Sequence, residues 1–160
     1  MQIHRIDTGF IDVPHNISMN IFTQGCTVGC KNCSNKSLQN FSGGTNLDFD
    51  QLLKLISTRS MCKWVCWLGG NPTEQPDLYK YCKFIKKHSK LKICVYTGHY
   101  FNSLAKRLLE SIDLVIDGPF IGEAVNEKKG SNQKIYMKIN KKWTLIDNWH
   151  KLSKKLERKG

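Results

Sequence analysis

Four short apolar runs, separated by helix-like patterns, constrain this chain more than any other feature. They occupy residues 17–23 (ISMNIFT), 64–68 (WVCWL), 92–97 (KICVYT) and 112–117 (IDLVID). Each is rich in β-branched or aromatic residues and closes within a few positions on glycine or small polar residues, as buried strands do. The stretches between them read as helices. Asp48 or Asp50 caps one, with Leu52, Leu53 and Ile56 on its apolar face; Asp77 starts a second, with Leu78, Tyr81, Cys82 and Ile85 facing inward; Asn102 caps a third, burying Leu104, Leu108 and Leu109. Strand–helix alternation of this kind implies a parallel sheet with crossover helices. A complete eight-fold barrel takes roughly 250 residues, and the chain has 160. The expectation is therefore an α/β fold, a single domain over residues 1–160 built as an open or partial (β/α) barrel with parallel strands.

Composition narrows the chemistry. There are seven cysteines, and the N-terminal MQIHRIDTGF lacks the basic-then-apolar pattern of a secretion signal. No apolar run approaches the roughly 18–20 residues that span a bilayer. A cytoplasmic, reducing location without membrane partners is expected, where cysteines serve metal or redox chemistry and disulfides are rare. The net charge of +12 favours an acidic partner, nucleic acid or protein, or simply keeps the chain soluble. Much of that charge falls late, from Lys128 and Lys129 through Lys141, Lys142, Lys151, Lys154, Lys155, Arg158 and Lys159, with Trp143 and Trp149 interleaved. Residues from about 137 onward read as a basic tail.

The segment after the first run is Gln24-Gly-Cys26-Thr-Val-Gly-Cys30-Lys-Asn-Cys33. Three thiolates in one short loop surround a metal centre without recruiting distant chain, and Gly25 and Gly29 let the backbone turn closely and aim N–H groups at sulfur. Three ligands on a [4Fe–4S] cube leave one iron free to chelate the amino and carboxylate groups of a methionine-derived sulfonium. The alternative is zinc on three cysteines and a histidine, His15 or His99. Cys66 and Cys94 lie in apolar runs and Cys82 on an apolar helix face. Those three, together with Cys62, read as core.

In barrel-like α/β folds, sites gather at the carboxyl ends of strands. The second run ends in Gly69-Gly70-Asn71-Pro72, the third in Tyr96-Thr97-Gly98-His99 and the fourth in Asp117-Gly118-Pro119-Phe120. Each is either a ligand-binding turn or plain turn and capping chemistry.

The C-x3-C-x2-C spacing resembles the signature of the radical S-adenosylmethionine enzymes, and Gly-Gly-Asn-Pro resembles their Gly-Gly-Glu-Pro motif, with Asn71 in place of the acid and Glu74 available as a substitute. The fuller set is Ile21-Phe-Thr-Gln-Gly-Cys26, Gly29-Cys30, Cys33-Ser-Asn35, Gly69-Gly70-x-Pro72, Tyr96-Thr97-Gly98, Val115-Ile-Asp117-Gly118-x-Phe120 and Gly130-Ser-Asn132-Gln133-Lys134. Across residues 4 to 136 it resembles the activating enzymes of anaerobic (class III) ribonucleotide reductase. The resemblance implies a radical-S-adenosylmethionine type of barrel and a [4Fe–4S] cluster on Cys26, Cys30 and Cys33, which act catalytically through it. It also implies S-adenosylmethionine held by Asn32, Cys33, Ser34, Gly69, Gly70, Asn71, Tyr96, Thr97 and Asp117. Reductive cleavage would give methionine and a 5′-deoxyadenosyl radical that installs a glycyl radical on the large reductase subunit, with an electron donor such as flavodoxin. Asn32 and Ser34 stand where the family usually carries an aromatic beside the third cysteine. The rival readings are an activator of another glycyl radical enzyme and, from a different class, a zinc-containing nucleic-acid-binding module, with nucleic acid the less favoured partner. Two substitutions separate the motifs: Cys30→Ala should abolish the cluster, and Gly70→Val should block cofactor binding while sparing the cluster.

Overall fold

The computed structural model describes residues 1–122 and 131–157. All four expected strands are present, as β2 (Ser18–Thr23), β4 (Trp64–Gly69), β5 (Lys92–Tyr96) and β6 (Leu114–Asp117), and they pair in parallel. Around them stand β1 (Gln2–Gly9), β3 (Thr45–Asn46), β7 (Lys134–Ile139) and β8 (Lys142–Ile146). Together they make one eight-stranded sheet in the order β3-β1-β2-β4-β5-β6-β7-β8. The pairs β1–β2, β1–β3, β6–β7 and β7–β8 are antiparallel. The four expected strands are parallel as read, but the sheet as a whole is mixed, with antiparallel pairs on both flanks, and it does not close on itself.

The central strands are apolar throughout because both faces are covered. On one face Val65, Trp67, Ile93, Val95 and Val115 meet Leu52 of helix α1 (Phe49–Thr58), Leu78, Cys82 and Ile85 of α2 (Leu78–His88) and Leu108 of α3 (Lys106–Leu109). On the other, Trp64, Cys66, Cys94, Leu114 and Ile116 meet Ile135 and Met137 of β7, Ile146 of β8, and Leu152 and Leu156 of α4 (Trp149–Glu157). Burying one such leucine contributes about 1.5–3 kcal/mol.

Asp48 caps α1 in a reciprocal capping box with Gln51. Leu53, expected on its apolar face, is 41% exposed, so the helix buries a narrower stripe than its composition suggests. The face expected for α2 is the observed one, although Asp77 makes no side-chain cap. Asn102 is no cap: residues 101–103 form a single 3-10 turn, α3 starts after Ala105, and of the three expected leucines only Leu108 is fully buried.

Residues read as a basic tail are built into the sheet and its cover. Strand β7 alternates, sending Ile135 and Met137 to one face and Tyr136 to the other. Asn140 and Lys141, both at positive φ (49° and 66°), make the two-residue turn to β8. Trp143 packs edge-on against Phe101, which stacks on Tyr136, and Trp149 packs against the α4-covered core. Lys138 donates to the carbonyls of Leu109 and Glu110, and Lys151 pairs with Asp147. Lys128, Lys129, Gly130, Arg158 and Lys159 lie outside the described residues.

Candidate metal and cofactor site

The parallel strands deliver their carboxyl ends to one side, and a cavity of about 380 Å³ opens there. Cys26, Cys30 and Cys33 line it together with Ser34, Gly69, Gly70, Tyr96, Thr97 and Gly118. A sequence-local loop and three separate strand ends thus converge on one space.

The loop is held from both sides. Gly25 N–H donates to the Leu38 carbonyl at 2.7 Å and Cys26 N–H to that of Gln39 at 3.0 Å. The Gln24 carboxamide donates to the Asn40 carbonyl at 2.5 Å. From β4, Gly70 N–H donates to Thr23 O at 2.9 Å and Asn71 N–H to Gly25 O at 2.8 Å. Gly25 sits at φ +101°, and a β-carbon there would lie 2.2 Å from the Phe41 ring. A β-carbon on Gly70 would lie 2.3 Å from the Gly25 carbonyl oxygen. Gly70 therefore lets the β4 turn pack backbone on backbone against the cysteine loop, and Gly25 leaves room for the Phe41 ring. This changes what Gly70→Val would do, because the clash falls on the cysteine loop itself and the cluster would not be spared.

All three thiols are half-buried, whereas Cys62, Cys66, Cys82 and Cys94 are buried in the core as expected. Burial pushes the Cys26 thiol above its ordinary value; the N–H groups of Val28 and Gly29, aimed at its sulfur, pull it back, and the Glu74 carboxylate pushes it up further. Burial likewise raises Cys82 and Cys66, the latter also through its neighbour Cys94. Metal ligation needs the thiolate. A cationic centre in the cavity would supply the charge that offsets burial at Cys26, and the buried core thiols have no such access. Three partly accessible soft sulfur donors on one cavity, with backbone N–H groups directed at one of them, are the donor chemistry of an iron–sulfur cluster, while among the described residues no three His, Cys, Asp or Glu side chains form a group that could hold a single metal ion.

Asn71 and Glu74, the two residues expected to stand in for the acid of the motif, are bonded to each other. Asn71 is fully buried, its Nδ2 donating to Glu74 at 2.8 Å and its Oδ1 accepting from Thr97 at 2.9 Å and Thr73 at 3.1 Å. The Glu74 carboxylate also accepts from the Thr27 N–H at 2.9 Å and its hydroxyl at 3.1 Å, clamping the β4 turn to the cysteine loop. Neither residue lines the cavity. Asp117 is also withdrawn from it: its two oxygens accept from Phe101 N–H at 2.6 Å and Lys134 N–H at 3.1 Å. Asn32 is exposed, beside Gly122. Of the expected ligand-binding residues, the structure brings together Cys33, Ser34, Gly69, Gly70, Tyr96 and Thr97, and sets Asn32, Asn71 and Asp117 outside the lining.

Asp12 lines the cavity without any motif to announce it. Its carboxylate accepts from Asn20 at 2.7 Å and its carbonyl from the Tyr96 hydroxyl at 2.9 Å. The only trace in sequence is its closeness to the β2 run. Gln133 also lines the cavity, donating to Gly118 O at 3.3 Å, while Asn132 donates to Pro119 O at 2.8 Å. The Ser-Asn-Gln-Lys segment thus ties the entry of β7 to the end of β6. The histidines offered for zinc are engaged elsewhere: His15 with Ser153 at 2.7 Å, His99 with Thr73 at 3.2 Å and Glu74 at 3.3 Å.

Residues 16–138 match the 4Fe-4S single cluster domain family. The chain is 30% identical over 115 residues to the anaerobic ribonucleoside-triphosphate reductase-activating protein of Pasteurella multocida (strain Pm70), covering 62% of this chain and 72% of that one. This chain belongs to the anaerobic ribonucleoside-triphosphate reductase-activating family. It is also similar to the pyruvate formate-lyase-activating enzyme of Clostridium pasteurianum, at 31% identity over 72% of this chain and 50% of the relative. The crystal structure of QueE from Escherichia coli superimposes over 81% of this chain and 62% of that one, with a TM-score of 0.49 and 16% identity. The family match covers the cysteine loop and all three strand ends at the cavity, and its description favours an iron–sulfur cluster over zinc. No helix among the described residues is long and apolar enough to cross a membrane.

Proposed function

We propose that this chain is an iron–sulfur activating enzyme that reductively cleaves S-adenosylmethionine and, through the 5′-deoxyadenosyl radical released, installs a glycyl radical on the large subunit of an anaerobic ribonucleotide reductase. The observation that carries the reading is the convergence of Cys26, Cys30 and Cys33 with Gly69–Gly70, Tyr96 and Thr97 on one cavity. A [4Fe–4S] cluster on the three thiolates supplies single electrons, and one iron open to a chelating ligand. Phe22, Val28 and Leu68 give the cavity apolar walls that exclude water from a reactive radical. Gly70 lets the β4 turn close on the cysteine loop, and Gly98 leaves room for the lining residue Val28, a β-carbon there falling 2.7 Å from it. Thr97 orients Asn71, and Asn71 and Glu74 hold the β4 turn against the cysteine loop. We read the open sheet as the partial (β/α) barrel of the radical S-adenosylmethionine superfamily, which the cysteine spacing resembles. A flavodoxin-like donor supplies the electron.

The pyruvate formate-lyase-activating relative supports a second reading with the same chemistry, in which the target is another glycyl radical enzyme. Incubating the anaerobically reconstituted chain with S-adenosylmethionine, dithionite and each candidate target separates them. The expected result is 5′-deoxyadenosine together with a glycyl radical signal on the reductase. Absence of 5′-deoxyadenosine under all conditions overturns the reading.

A further inference from the structure

Two exposed apolar segments stand beside the cavity with nothing in the catalytic account to explain them. Phe10 is 66% exposed and Ile11 70%, directly before the lining residue Asp12; Ile121 is 59% exposed, directly after the lining residue Phe120. Single exposed apolar residues are ordinary, but adjacent large ones beside a cavity mark an interaction surface. The first segment is pinned. Tyr96 donates to the Asp12 carbonyl at 2.9 Å, Asn20 donates to its carboxylate at 2.7 Å, Asn16 N–H bonds back to Val13 O at 3.1 Å, and Val13 is fully buried. Phe10 and Ile11 are therefore presented to solvent by a backbone fixed before any partner arrives, which lowers the ordering cost of binding. On the cysteine loop at the same cavity, Lys31 and Lys36 are exposed, so this side is both apolar and positively charged.

We propose that Phe10, Ile11 and Ile121 form an apolar lip that docks the glycine-bearing segment of the activated enzyme, and that this segment carries an apolar side chain near its glycine and acidic residues on its flanks. The inference rests on the function proposed above and adds where the protein substrate lands. A polypeptide seated on the lip would enter the cavity past Asp12 on one side and Phe120 on the other. The lip itself contributes no atom to the cavity lining, so its effect is on capture of the substrate alone.

The test compares the wild type with the Phe10→Ser/Ile11→Ser double variant, each reconstituted anaerobically. Two quantities are measured: 5′-deoxyadenosine formed with dithionite in the absence of the reductase, and glycyl radical formed as reductase concentration is varied. The expected result is partner-free cleavage unchanged and a KM for the reductase raised about tenfold or more, as loss of apolar anchors from an interface produces. The Phe10→Leu/Ile11→Val pair, which keeps the apolar surface, should restore the wild-type KM. An unchanged KM in the serine variant overturns the proposal, as does a parallel fall in partner-free cleavage. A wild-type dimer that the serine variant dissolves also overturns it, assigning the lip to self-association. If the wild type cleaves S-adenosylmethionine yet never marks the reductase, the target assignment fails, and the lip's role falls with it.

Discussion

The centre of the sheet and its flanks follow different rules. At the centre, β2, β4, β5 and β6 run parallel and are buried on both faces, and their carboxyl ends carry the residues that line the cavity. At the flanks, β1, β3, β7 and β8 pair antiparallel and contribute mainly support. Parallel pairing directs every strand end, and every loop it launches, to the same side. Chemistry is therefore concentrated at the centre, while the flanks set stability and, through the turn after β1, the surface offered to a partner.

The sharpest way to break this comparison is to change one cysteine in each class. Cys30→Ala should remove the brown colour and all S-adenosylmethionine cleavage, while Cys94→Ala, a buried core thiol, should keep both and lose only stability. Retained activity in the first variant refutes the ligand assignment. Next in size is Gly70→Ala. Its β-carbon would meet the Gly25 backbone at 2.3 Å, so the cysteine loop should shift and both cluster loading and cofactor binding should fall, read by iron content and by titration. Normal loading would show that the contact relaxes cheaply. The mildest effect on function is expected at the flank: Leu152→Ala on α4 should cost about 2–5 kcal/mol in unfolding free energy, measured by denaturant titration, with the cluster spectrum unaltered. A changed spectrum would mean that the cover of the sheet reaches the site.

The same division decides what was legible in the sequence. Strands buried on both faces write continuous apolar runs, and all four central strands stand where those runs predict them. Strand β1 is harder to read because its apolar residues Ile3 and Ile6 are three apart, the wrong spacing for one strand face. A register shift between Ile3 and Arg5 lets both join the same core. Strands β7 and β8 hide behind lysines, and their turn uses Asn140-Lys141 where Asn-Gly would be the usual signal. At the site, the cysteine spacing is local and readable, as is the glycine pair. The withdrawal of Asn71 and Asp117 from the cavity is not, because it depends on hydrogen bonds from Thr97, Phe101 and Lys134 that only the tertiary fold brings near. Asp12 has no motif at all and is placed by the Tyr96 hydroxyl, 84 residues away.

Electron paramagnetic resonance of the reduced, air-excluded chain tests the central claim most directly. A cubane signal that changes shape when S-adenosylmethionine is added is the predicted result, since three thiolates leave one iron for that ligand. A colourless, zinc-loaded protein, or an iron–sulfur signal indifferent to S-adenosylmethionine, would contradict it.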